Sequence, residues 1–133
     1  MTSNVETVFN ESMPIYLQLM ERIKHEIISG NLEPGSRLAS VRELAAKFGV
    51  NPNTMQKALS ELEREELLHA ERTAGRFVTT NQLVINSVRY KEARRIADTF
   101  LRQMESLGYS QEELREFLPG SMSIPVPEGM EIS

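Results

Sequence analysis

The sequence contains no cysteine, which excludes disulfides, thiolate metal sites and cysteine nucleophiles together. Its two histidines, His25 and His69, fall in different segments with no potential metal ligand patterned around them. No apolar run approaches the roughly 20 residues that a membrane span needs. The first residues, Met1 to Glu6, carry neither a basic nor an apolar stretch, so no secretory signal is expected. There is no glycine-rich phosphate cradle and no nucleophile constellation, so neither an enzyme nor a cofactor is expected. The acidic pairs Glu65-Glu66 and Glu112-Glu113 are assigned to helix surfaces or helix ends. A surplus of positive charge is also missing. The net charge is -4, and Pro14 to Thr80 balances nine Lys/Arg against nine Asp/Glu.

What remains is an ordinary globular composition, 40% apolar and 26% charged over 133 residues. The expected compartment is the cytoplasm. Four stretches are distinguished: a flexible leader over 1–13, a domain over 14–80, a helical region over 81–118 and an extended or mobile tail over 119–133.

Pro14 is placed at the first helical position, where its missing N–H is harmless. Ile15, Leu19, Ile23 and Ile27 then recur every fourth residue and predict an amphipathic helix ended at Gly30-Asn31. Ser36 to Leu38 predicts a short strand. Ser40 and Glu43 have the spacing of a capping box, and Gly49 has the place of a left-handed helix stop. Asn51 and Pro52 then form an N-cap and first helical residue. A new helix so soon after the last predicts a helix-turn-helix. Leu67 to Ala70 and Arg76 to Thr79 predict a hairpin through Thr73-Ala74-Gly75. The expected fold is therefore mainly α with a small β-wing: a winged helix-turn-helix followed by a two-helix segment.

At 100° per residue, Met55, Ala58, Leu59 and Leu62 share one side of the third helix. Asn53, Lys57, Ser60 and Arg64 lie nearly opposite, with Thr54 and Gln56 flanking them. A helix in a DNA major groove presents its N-terminal residues to the base edges. Asn and Gln can pair bidentately with adenine, and Lys can donate to guanine, so Asn53, Gln56 and Lys57 are the candidate base readers. Thr54 in the first turn is a candidate phosphate contact. Arg42, second residue of the second helix, is a phosphate or base candidate; internal pairing with Glu43 or Glu61 is its alternative. Arg37, Lys47, Arg72 and Arg76 are weaker candidates for the same surface. Gly75 would let the wing backbone approach a minor groove, although a plain turn also explains it.

The run GNLEPGSRLASVRELAAKFGVNPNTMQKALSEL over 30–62 resembles the GntR family of bacterial transcription regulators. Within it, NPNTMQKA over 51–58 and the short C-terminal helix pair resemble the YtrA subfamily most. The resemblance is dense over 14–80 and extends over 81–118 only in length and helical pattern. It implies DNA contacts from Arg42, Asn53, Thr54, Gln56, Lys57 and Gly75, and a homodimer on a palindromic operator. Repression is the expected mode, and the resemblance to the YtrA subfamily implies transporter operons among the targets. The sequence departs from the family at Glu66 and Thr73, where glycine is usual, and at Arg76, where threonine is common. Arg76 could itself reach a phosphate or a narrow minor groove.

The C-terminal region predicts a helix from about Leu83 to Leu107, stopped by Gly108. Ala93, Ile96, Ala97, Phe100, Met104 and Leu107 form one stripe along it. Ser110 and Glu113 form a second capping box, with Tyr109 and Leu114 placed as its staple. Two helices cannot enclose a ligand pocket alone, and so long a stripe requires a partner surface. Dimerisation is the expected use, and folding back onto the same chain is the alternative. A small-molecule effector would have to bind at the interface between copies, and no residue pattern identifies one. The competing function is a winged helix used for protein–protein association without specific DNA binding.

Overall fold

The structure is a computed structural model and describes residues 9, 11–118 and 127–129. Much of the expected leader and most of the expected tail lie outside those residues. The chain divides into two compact units, Met1–Ile85 and Asn86–Ser133.

In the first unit, α1 (Ile15–Ile28), α2 (Val41–Phe48) and α3 (Pro52–Arg64) precede β1 (Leu68–Glu71) and β2 (Gly75–Val78). Pro14 stands one place earlier than expected, as the N-cap of α1 rather than its first residue. Its carbonyl accepts from the Leu17 and Gln18 N–H groups at 3.1 and 3.4 Å. The apolar stripe of α1 is buried through Leu19, Met20, Ile23, Ile27 and Ile28, while Ile15 stays exposed. α1 and α2 both pack on α3. Met55, Ala58, Leu59 and Leu62 of α3 are all buried at that junction. Removing such a side chain, as in Leu62→Ala, costs about 2–5 kcal/mol through lost transfer energy and the cavity left behind.

Ser40 and Glu43 form the expected capping box: the Ser40 Oγ accepts from the Glu43 N–H at 3.1 Å, and the Glu43 carboxylate accepts from the Ser40 N–H at 3.2 Å. Gly49 closes α2 at φ 69°, a conformation that only glycine adopts without steric cost. The Asn51 side chain then accepts from the Asn53 N–H at 2.7 Å and opens α3 three residues after α2 ends.

α3 ends at Arg64 in a Schellman motif. The Leu67 N–H reaches the Leu62 carbonyl at 3.1 Å, and the Glu66 N–H reaches the Glu63 carbonyl at 2.9 Å. This geometry puts Glu66 at φ 66°, and it is the one non-glycine residue with positive φ among the described residues. Leu67, buried completely, secures the exit of the chain into β1.

β1 and β2 pair antiparallel from Leu68↔Val78 to Glu71↔Gly75. The Ser36–Leu38 segment adds a single bridge, Arg37↔Phe77, instead of a full strand. The Val78 N–H bonds the Ser36 carbonyl at 2.8 Å, and the Leu38 N–H bonds the Arg76 carbonyl at 2.9 Å. The result is a winged helix-turn-helix.

The second unit is built around the helix α4 (Gln82–Ser106), whose first turn belongs to the first unit, and α5 (Gln111–Phe117). Ser110 and Glu113 form the second capping box. Leu114 is buried, whereas the Tyr109 ring lies edge-on to Phe117 with centroids 5.2 Å apart. Along α4, Ala93, Ala97 and Met104 are half-buried. Ile96, Phe100 and Leu107 are 55%, 37% and 71% exposed, so the stripe is only partly covered within one chain.

Candidate nucleic-acid interface

The helical period that buries one face of α3 delivers the other to solvent. Asn53, Gln56, Lys57, Ser60 and Arg64 are all exposed, and Thr54 is half-buried in the first turn. Five of the expected readers and contacts, Asn53, Thr54, Gln56, Lys57 and Arg42, thus lie on or beside short helices fixed by side-chain caps and a buried core. A cap holds the first turn rigid, so its side chains start from defined positions.

Gln56 Nε2 donates to the Ser60 Oγ at 3.1 Å, one turn farther along the helix. This uses one amide N–H and leaves the second N–H and the carbonyl oxygen. Those two groups are what a bidentate adenine contact requires. Lys57 is placed differently. Its Nζ sits 4.0 Å from the centroid of the Tyr16 ring on α1. The two residues belong to different helices, and no local sequence pattern identifies a ring from another helix as the seat of a lysine.

Arg42 is exposed on the first turn of α2. Neither Glu43 nor Glu61 takes it: Glu43 caps Ser40, and Glu61 pairs with Arg64 at 3.4 Å. Arg42, Lys47, Lys57 and Arg72 are in no salt bridge among the described residues. Lys24, in contrast, is held by Glu65 at 3.0 Å. A domain of balanced charge therefore still presents uncompensated cations, and phosphate contacts depend on such local charge.

The wing is arranged around two arginines. Arg76 on β2 is tied to Glu63 on α3, Nε to Oε1 at 2.5 Å, with both side chains largely covered. A phosphate contact by Arg76 would have to draw its guanidinium off that carboxylate. Arg37 instead lies across the wing backbone at Gly75. A Cβ at Gly75 would stand 3.1 Å from Arg37 Nε, and the residue has φ 106°. The positive φ favours glycine there, and any Cβ would also oblige the Arg37 side chain to give way by a few tenths of an ångström. His69 stacks on Phe77 with centroids 5.8 Å apart and stiffens the strand pair.

The Glu43 carboxyl is held below the ordinary carboxylate range, first by the Ser40 backbone N–H, then by the Ser40 hydroxyl, with a smaller contribution from the Arg37 charge. The capping box therefore stays ionised and intact at neutral pH. Among the described residues, no group of side chains is assembled to hold a metal ion, and no helix is long and apolar enough to cross a membrane.

Comparison with known proteins agrees with this geometry. The family model for bacterial regulatory proteins of the gntR family matches residues 15–78. The chain is 36% identical over 112 residues to the uncharacterized HTH-type transcriptional regulator YhcF of Bacillus subtilis, covering 84% of this chain and 93% of YhcF. It is 43% identical over 70 residues to the HTH-type transcriptional repressor YtrA of Bacillus subtilis, covering 53% of this chain and 54% of YtrA. A GntR family transcriptional regulator from Listeria monocytogenes has a similar structure, with TM-score 0.76 and 37% identity over 82% of this chain and 96% of that one. The capped α2–α3 pair, the paired wing and these relatives together place the chain in the GntR family of bacterial transcriptional regulators, with its YtrA-like members among its relatives.

Proposed function

We propose that the protein is a cytoplasmic repressor that occupies a palindromic operator as a homodimer. One observation carries the DNA-reading part: the capped N-terminal half of α3 exposes Asn53, Gln56 and Lys57 while its opposite face is locked in the core. In this reading, Asn53, Gln56 and Lys57 meet base edges, and Thr54 and Arg42 hold phosphates on either side. Gly75 brings the wing backbone and Arg37 toward the duplex, and Arg76 serves by fixing the wing to α3.

The second unit supplies the dimer. Ile96, Phe100 and Leu107 are too exposed for the apolar stripe to be satisfied within one chain, and a second copy offers a matching face by symmetry. A two-fold dimer presents two copies of α3 to half-sites about one turn of DNA apart. Repression and control of a transporter operon rest on the likeness to YtrA, which is itself named a repressor.

Gel shifts with genomic fragments in the presence of excess non-specific DNA test this reading. Retention of a small set of fragments sharing an inverted repeat is the expected result. Binding that is equal across all fragments, or absent at low salt, would leave the winged helix as a protein-association module.

A further inference from the structure

The 4.0 Å approach of Lys57 Nζ to the Tyr16 ring joins the exposed face of α3 to the first turn of α1. A lysine carries a compact charge on a flexible four-carbon stem and reaches any acceptor within a wide arc. The aromatic face narrows that arc, because its negative quadrupole attracts the ammonium within about 6 Å of the centroid. The nearest carboxylate along the same helix face, Glu61 one turn on, is paired with Arg64 at 3.4 Å and not with Lys57. Tyr16 is half-buried on the helix that packs against α3, so the ring has a fixed place from which to act.

From this contact we infer that Tyr16 is a specificity-determining positioning residue. It touches the side chain that reads the base, and through it selects which base pair Lys57 addresses. The inference rests on the reading of α3 as the base-contacting helix. The ring leaves the ammonium's N–H groups on its far side free to donate to a guanine edge. Without the ring, Lys57 would sweep between neighbouring bases and phosphates, keeping its charge and losing its discrimination.

Two measurements test this, with Tyr16→Leu and Tyr16→Phe compared because phenylalanine keeps the aromatic face. In the free protein, NMR should show the Lys57 Hε protons shifted upfield by the ring in wild type and Tyr16→Phe, and not in Tyr16→Leu. On a selected operator with single-base variants, Lys57→Ala identifies the position that Lys57 reads. Tyr16→Leu should relax preference at that position by about two- to fivefold, the range of an exposed cation–π contact, with Tyr16→Phe restoring it. An absent ring shift overturns the inference, as does a Tyr16→Leu profile that matches wild type or flattens equally at every position. If Lys57→Ala itself changes no base preference, the assignment of Lys57 as a base reader fails first, and the specificity role of Tyr16 falls with it.

Discussion

Arg76 on the second wing strand and Glu63 on α3 are joined Nε to Oε1 at 2.5 Å, 13 residues apart in sequence. Both side chains are less than a third exposed, so the pair is better shielded from water than an ordinary surface bridge. It ties the pitch of the wing to the helix beside it. A double-mutant cycle of Arg76→Ala and Glu63→Ala should give a coupling of about 1 kcal/mol in denaturant unfolding. Additive effects of the two substitutions would show that the pair contributes nothing to holding the wing.

Glu66 closes α3 in the left-handed conformation, at φ 66°. Chirality makes that conformation costly for any residue with a Cβ, and glycine removes the cost. Glu66→Gly should therefore stabilise the first unit by about 1 kcal/mol, seen as a higher unfolding midpoint. A loss of stability would mean that the carboxylate makes a compensating contact. Operator affinity should be unchanged, because Glu66 lies at the far end of α3 from Asn53.

The capping boxes give a signed pH dependence. Glu43 is held below the ordinary carboxylate range by the Ser40 N–H and then the Ser40 hydroxyl, and Glu113 is held likewise by Ser110. A folded-state value below the unfolded one stabilises the fold above the unfolded value, and that contribution disappears as pH falls through the folded value. Carboxyl NMR titration should find both glutamates protonating at lower pH than the unpaired ones. Ser40→Ala should move Glu43 partway back, since the backbone donor remains. A Glu43 titration unaffected by Ser40→Ala would remove the hydroxyl from the account.

The exposed stripe on α4 predicts self-association. Sedimentation should find a dimer, and Phe100→Glu should shift it toward monomer and weaken operator binding while α1 to α3 remain folded. A variant that stays dimeric would move the interface off this stripe.

The elements that depend on neighbouring residues were legible before any coordinates. The Ser40–Glu43 box, the Gly49 stop and the Asn51-Pro52 start are local in sequence, and each appears where its chemistry places it. The exposed and buried faces of α3 followed from a 3.6-residue period. The contacts that were not legible all join separate elements. Tyr16 against Lys57, Glu63 against Arg76 and Arg37 against Gly75 depend on how helix, loop and wing pack. Arg76 illustrates the difference: its charge is plain in the sequence, but the carboxylate that holds it lies on another element. Glu66 is legible only by contrast, as a non-glycine residue where the resembling family usually has glycine, and the positive φ gives that contrast its physical meaning.

We propose above that the N-terminal half of α3 reads base sequence. Its most direct test is Gln56→Ala on an operator selected from random DNA, with affinity measured on the selected site and on its single-base variants at fixed salt. The expected result is a loss of about 1–3 kcal/mol on the selected site, with preference relaxed at a small number of adjacent positions. Equal weakening on every sequence, or no change on any, would contradict it.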